Sequence, residues 1–110
     1  MYYPHYDDYA LERTSYNINL LPAFWLMGSY AYYVESMPIL SDAAFDAIAK
    51  SLSLNFSSIR HPHKWLIDRH RTNTGFYLSQ FDYPSIIPHA IRSLKDVRSL
   101  ERHKRVPRKV

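Results

Sequence analysis

The sequence predicts a small, mainly α-helical single domain, built on an αα-hairpin and completed by a C-terminal amphipathic helix. Three observations carry this. Apolar residues recur at three- and four-residue spacing over residues 20–34, 45–52 and 87–100, the period of a helix. A short Met37-Pro38 break followed by Ser41 separates the first two stretches. A residue before proline is pushed out of the α region, and so short a link makes the flanking helices antiparallel neighbours. Glycine occurs only at Gly28 and Gly75, too few for a sheet with many tight hairpins.

Taken in order, residues 1–18 are rich in Tyr and Asp with no clear period and form an aromatic lead-in. The helical domain spans 19–103, and 104–110 is a basic tail. The first helix starts near Asn19 with Pro22 in its first turn, where a missing N–H costs little. Leu20, Phe24, Met27, Ala31 and Val34 mark its apolar stripe, and it ends near Glu35 or Ser36. Ser41 is the expected N-cap of the second helix, Asp42 suits the positive end of its dipole, and Phe45, Ile48, Ala49 and Leu52 form its inner face. This helix fades around Asn55.

The middle is less periodic. Pro62 opens a short helical turn carrying Trp65 and Leu66, residues 72–75 read as a turn, and residues 76–81 suit either an extended piece or a loop. Ile87, Ala90, Ile91, Leu94, Val97 and Leu100 then form a 3.6-residue stripe, with Pro88 in the first turn and an end near His103. No internal repeat is present.

Composition narrows the function classes. A chain of 110 residues fits one compact domain. Apolar residues at 46% and charged residues at 22% are ordinary for a soluble globular protein. No cysteine is present, which excludes a disulfide scaffold and a thiolate zinc site. The N-terminal stretch has neither the basic nor the apolar region of a signal peptide. The most apolar run, residues 20–34, is too short and too polar to span a bilayer. A cytoplasmic protein without a membrane partner is expected. The ten tyrosines stand out, because such rings suit both small cores and binding surfaces.

Charge is unevenly placed. Residues 1–91 carry six Lys or Arg against eight Asp or Glu, whereas residues 92–110 carry eight against two. The basic character therefore belongs to the C-terminal segment. Arg98, Arg102, Lys104, Arg105, Arg108 and Lys109, with Arg92 and Lys95 before them, are candidates for salt-dependent, non-specific phosphate contact with nucleic acid. The competing account is the solvated face of an amphipathic helix with a charged tail.

The hairpin carries the sharpest pattern. In YAYYVESMPILSDAAFD, Tyr30-Ala31-Tyr32-Tyr33 precedes Pro38 and then Asp42-Ala43-Ala44-Phe45-Asp46. This resembles, without a gap, the Tyr-x-Tyr-His, acidic-Pro turn and Asp-x-x-Tyr-Asp pattern of the N-terminal helical subdomain of NAD-dependent bacterial DNA ligases. The resemblance runs from about Phe24 to Leu54, and short phage ligase-like proteins are similar. It implies a pocket for the nicotinamide mononucleotide (NMN) half of NAD. Tyr32 would stack on the pyridinium ring, a favourable contact between a cation and a ring face. Asp42 and Asp46, four apart on one helix face, would accept hydrogen bonds from ribose hydroxyls or the carboxamide and offset the ring's charge. Tyr33 stands where the family has His and Phe45 where it has a second Tyr. Each lacks a polar contact, while Phe45 keeps a ring. On the structural account, Asp42 only complements the helix dipole, Asp46 is solvated and Tyr32 is a partly buried ring.

Catalysis lacks its residues. A ligase adenylation motif, Lys-x-Asp-Gly, requires a glycine after an aspartate, but Met27 and Thr74 precede the two glycines. No Gly-x-Ser-x-Gly elbow occurs either. His61, His63, Asp68 and His70 offer metal-ligand chemistry in a polar loop, but their spacing matches no strong motif, and no metal is expected. The resemblance thus implies a non-catalytic, phage-type accessory protein that binds NMN or NAD. The alternative is an interaction or structural protein that docks on a host, virion or ligase-related protein, with nucleic-acid contact through the basic helix.

Overall fold

The computed structural model describes residues 6–105, with side chains described through residue 96. Four α-helices order it: α1 (Asp7–Tyr16), α2 (Leu21–Tyr33), α3 (Asp42–Asn55) and α4 (Ile86–Arg105). Short 3-10 turns fill much of the rest at Ile18–Leu20, Phe56–Ser58, Lys64–Leu66 and Arg69–Arg71. No strand occurs among the described residues. The fold is mainly α and built on the α2–α3 hairpin, as the spacing predicts.

Helix α2 is the centre of the molecule. Its buried residues include Leu21, Phe24, Trp25, Leu26, Met27, Gly28, Ser29 and Ala31, which point in every direction around the axis. A helix apolar all round belongs in the interior. The expected stripe is therefore only part of its contact surface, and its end members Leu20 and Val34 are half-buried. Both α3 and α4 pack on α2, and α1 packs on α3. Pro22 falls at the second position of α2, where no intrahelical N–H is lost.

The helix boundaries follow local chemistry. Ser41 caps α3, its hydroxyl accepting from the Ala44 N–H at 3.1 Å. Ile48, Ala49 and Leu52 are buried beneath it, as expected, while Phe45 is half-buried. Ile87, Ile91 and Leu94 bury the α4 face, and Pro88 sits in its first turn. Just past the end of α2 the Glu35 N–H donates to the Tyr30 carbonyl at 3.1 Å. The Met37 N–H donates to the Ala31 carbonyl at 2.9 Å, and Ser36 turns to a positive φ of 56°.

The structure refines two expected boundaries and settles one open alternative. Part of the 1–18 lead-in is helix α1, which buries Ala10 and Thr14 and is linked to the hairpin turn by the Tyr6 N–H donating to the Ile39 carbonyl at 2.7 Å. Its short side chains leave too weak an apolar stripe to be legible, whereas Asp7 and Asp8 in the first turn and Arg13 in the last suit the dipole. The boundary at 103/104 falls within α4, which continues to Arg105. The alternatives for residues 76–81 resolve to a loop of turns, pinned where the Asp82 carboxylate accepts the Ser79 N–H at 2.8 Å. The helical turn expected after Pro62 is present at Lys64–Leu66.

Candidate functional site

The hairpin and a distant loop enclose a pocket. Its floor begins at Gly28, where α2 passes Leu40 and Phe45 so closely that a Cβ would lie 2.9 Å from Leu40 Cδ1 and 3.2 Å from Phe45 Cδ1. Glycine at this place leaves room that any side chain would fill. The hollow measures about 280 Å³ and is lined by Gly28, Tyr32, Tyr33, Leu40, Asp42, Phe45, Asp46 and Asn73. All five residues singled out from the hairpin pattern, Tyr32, Tyr33, Asp42, Phe45 and Asp46, therefore meet at one pocket.

Each reaches it for a local reason. Asp42 opens α3 behind its Ser41 cap, and Asp46 follows one turn later on the same face. Both are exposed, and neither carboxylate forms an ion pair or hydrogen bond with another described residue. Tyr32 and Tyr33 lie at the end of α2, edge to face with their centroids 4.8 Å apart. Tyr32 is 53% exposed and presents its ring to the mouth. The Phe45 ring is shared between pocket and core, tilted against buried Trp25 at 5.7 Å.

Across from the hairpin, Asn73 lines the pocket, carried on a loop that is anchored through its neighbours. The Trp25 indole N–H donates to the Thr72 carbonyl at 2.8 Å in the buried interior. The Tyr33 and Thr74 hydroxyls bond at 2.8 Å, and Phe76 lies 6.0 Å from the Tyr33 ring. Gly75 seats on α2, where a Cβ would overlap the Ser29 hydroxyl. Its φ is not positive, so close approach, not an unusual backbone conformation, calls for glycine. These anchors bring Asn73 to the pocket. Gly28, Leu40 and Asn73 were not singled out from the sequence as site residues. The turn at residues 72–75 was visible, but its docking on α2 was not.

The pocket is acidic and aromatic, with no Lys or Arg among the described residues that line it. Two carboxylates beside exposed ring faces suit a flat cation. Two other hollows differ in kind. One of about 350 Å³ lies among Tyr9, Phe24, Met27, Ala90, Ser93 and Leu94, and one of about 210 Å³ includes Leu11, Thr14, Ile18 and Ile48. Neither is lined by a carboxylate.

The histidine loop does not assemble a metal centre. Among the described residues no group of three or more His, Asp or Glu could hold a metal ion. The His61 and His63 rings are 5.6 Å apart, but His61 Nδ1 accepts the His63 backbone N–H. Burial, and then the charge of His63, lowers the His61 pKa. Asp68 instead accepts from the His70 N–H and the Arg71 guanidinium, both at 2.9 Å, which holds its carboxyl below the usual range.

The basic segment continues α4 in its backbone through Arg105. The side chains of Arg98, Arg102, Lys104 and Arg105, and the whole of Arg108 and Lys109, lie outside the described residues. Among the described residues no helix is long and apolar enough to cross a membrane. Comparison of the chain with protein-family models, curated proteins and solved structures finds no match.

Proposed function

We propose that this protein is a non-catalytic module that binds a nicotinamide nucleotide, NMN or the NMN half of NAD. The observation that supports this reading is the convergence of Tyr32, Tyr33, Asp42, Phe45 and Asp46 on one pocket with two carboxylates that pair with no other described residue. A pyridinium ring is flat and cationic, so it gains from Tyr32 and from both carboxylates. Ribose hydroxyls are donors, and Asp42 and Asp46 are acceptors. A hollow of about 280 Å³ lies just below the roughly 300–1,000 Å³ of ligand pockets, which suits one nucleotide half and not a whole dinucleotide. The Tyr33 hydroxyl is already bonded to Thr74, so its position contributes shape more than a free polar group.

Calorimetric titration with NMN and NAD tests this. Wild-type protein should release heat with both, and Asp46→Ala should weaken each about tenfold, the loss of one charge-assisted hydrogen bond. No heat from either ligand at millimolar concentration would overturn the reading.

A second reading, docking on a host, virion or ligase-related protein, draws on Trp65, Phe76 and Phe81, which are 78%, 79% and 88% exposed. Aromatic residues are enriched at protein interfaces. Replacement of Trp65 and Phe81 by Ser would abolish such binding while leaving the calorimetric response to NMN intact.

A further inference from the structure

We infer that Asn73 is a specificity-determining residue of this pocket, one that selects a ring ligand carrying a neutral amide over the same ligand carrying a carboxylate. The inference rests on the nucleotide-binding reading above and adds to it a residue from outside the hairpin pattern.

Three observations carry it. Asn73 is exposed and lines the same hollow as Asp42, Asp46 and the Tyr32 ring. Its carboxamide makes no hydrogen bond to another described residue, so both its donor and its acceptor are free. The loop that presents it is held on both sides. The Thr72 carbonyl accepts from Trp25, and the Thr74 hydroxyl both bonds Tyr33 and accepts the Phe76 N–H at 3.1 Å. A polar group carried on so anchored a loop orders little on binding, which favours selectivity.

The chemistry follows from complementarity. A primary carboxamide offers one acceptor and two donors in a plane, and so does a ligand amide, so the two can pair reciprocally. A ligand carboxylate offers only acceptors and meets a wall that already carries two carboxylates without a lining cation. Like charges brought together in this way reject the wrong ligand as effectively as good contacts hold the right one.

The test compares NMN with nicotinic acid mononucleotide, which differ only in that group. Wild type should bind NMN at least about tenfold more tightly. Asn73→Ala should lose about tenfold in NMN affinity and narrow the preference, while Asn73→Gln, which retains the amide, should restore part of it. Thermal melting should be unchanged in both, because the replaced side chain is exposed and unbonded. Wild-type binding of NMN with an Asn73→Ala variant of equal affinity and equal preference would overturn the role of Asn73 alone. Failure of the wild type to bind either nucleotide would overturn the nucleotide-binding reading and this inference with it.

Discussion

The carboxylate of Asp7 holds Ser41 with both its oxygens, one accepting the backbone N–H at 2.9 Å and the other the hydroxyl at 2.6 Å. The same Ser41 hydroxyl accepts from Ala44 and so caps α3. A residue of the N-terminal helix thus fixes the cap of the helix that carries Asp42 and Asp46. Asp7→Ala removes two hydrogen bonds to a charged acceptor, each typically worth about 1.5–3 kcal/mol, with partial compensation by water at this half-buried place. A loss of about 2 kcal/mol in urea unfolding is expected, against less than about 0.5 kcal/mol for neighbouring, exposed Asp8→Ala.

Ser36 occupies the left-handed region at a φ of 56° without being glycine. That conformation costs an L-residue roughly 1–2 kcal/mol, part of which a glycine gives back through its freer unfolded chain. Ser36→Gly should therefore stabilise the protein by about 0.5–1 kcal/mol, read as a rise in thermal midpoint.

Lys64 is a buried cation held without a carboxylate. Its ammonium donates to the Phe56 carbonyl at 2.7 Å and the Ile59 carbonyl at 2.9 Å, and lies 4.8 Å from the centres of both the Phe56 and Trp65 rings. Lys64→Met keeps the stem but leaves the buried Ile59 carbonyl without its donor and the Phe56 carbonyl with the Ile59 N–H alone. It should cost about 2–3 kcal/mol by chemical denaturation. Trp65→Ala should cost about 1 kcal/mol through the lost ring face alone.

Gly28 separates fold from site. An added methyl would press on Leu40 Cδ1, the end of a flexible side chain, and on the Phe45 ring at Cδ1. Alanine also gains about 1 kcal/mol in helix propensity over glycine. Gly28→Ala should therefore change stability by less than about 1 kcal/mol while raising the floor of the pocket. Paired melting and NMN titration should show retained folding and weakened binding.

Alkaline pH should loosen the core at Tyr83. Its hydroxyl bonds Ser29 in the interior at 2.6 Å, and burial pushes its pKa above the ordinary value near 10.0. Burial also raises Tyr77, whose oxygen accepts the Asp68 N–H. Above that ordinary value the unfolded chain sheds protons that the folded chain retains. Stability is thus fully present below about pH 10 and falls as pH rises towards the native pKa. Urea midpoints on either side of about pH 10 should show the fall, and the paired replacement Ser29→Ala with Tyr83→Phe should reduce it to the share of Tyr77.

The hairpin was legible because its signals are local. Pro38 breaks the chain, Ser41 caps, and Phe45, Ile48, Ala49 and Leu52 repeat with the period of one helix face. Such features act between residues a few positions apart. Asp42 and Asp46 share a face for the same reason, so half of the candidate pocket is implied by spacing. Helix α1 was not legible, since Ala10 and Thr14 are small and leave little periodic contrast. The all-round burial of α2 was hidden too, because a periodic stripe describes one contact and this helix has several.

The sequence by itself determined the helical class, the hairpin turn and the face that carries the two carboxylates. Only the tertiary structure decided that the loop at residues 72–76 docks on α2 and brings Asn73 to the pocket. Trp25 to Thr72 spans 47 positions, Ser29 to Tyr83 spans 54, and Tyr33 to Thr74 spans 41. Each bond depends on α2 being central, and each pairs a group on that helix with a loop that has no period of its own. Nothing in the local pattern of Asn73 distinguishes it from any other polar turn residue. It becomes part of a pocket because Gly75 lets the chain close on Ser29 and because a buried indole needs a carbonyl to accept its proton.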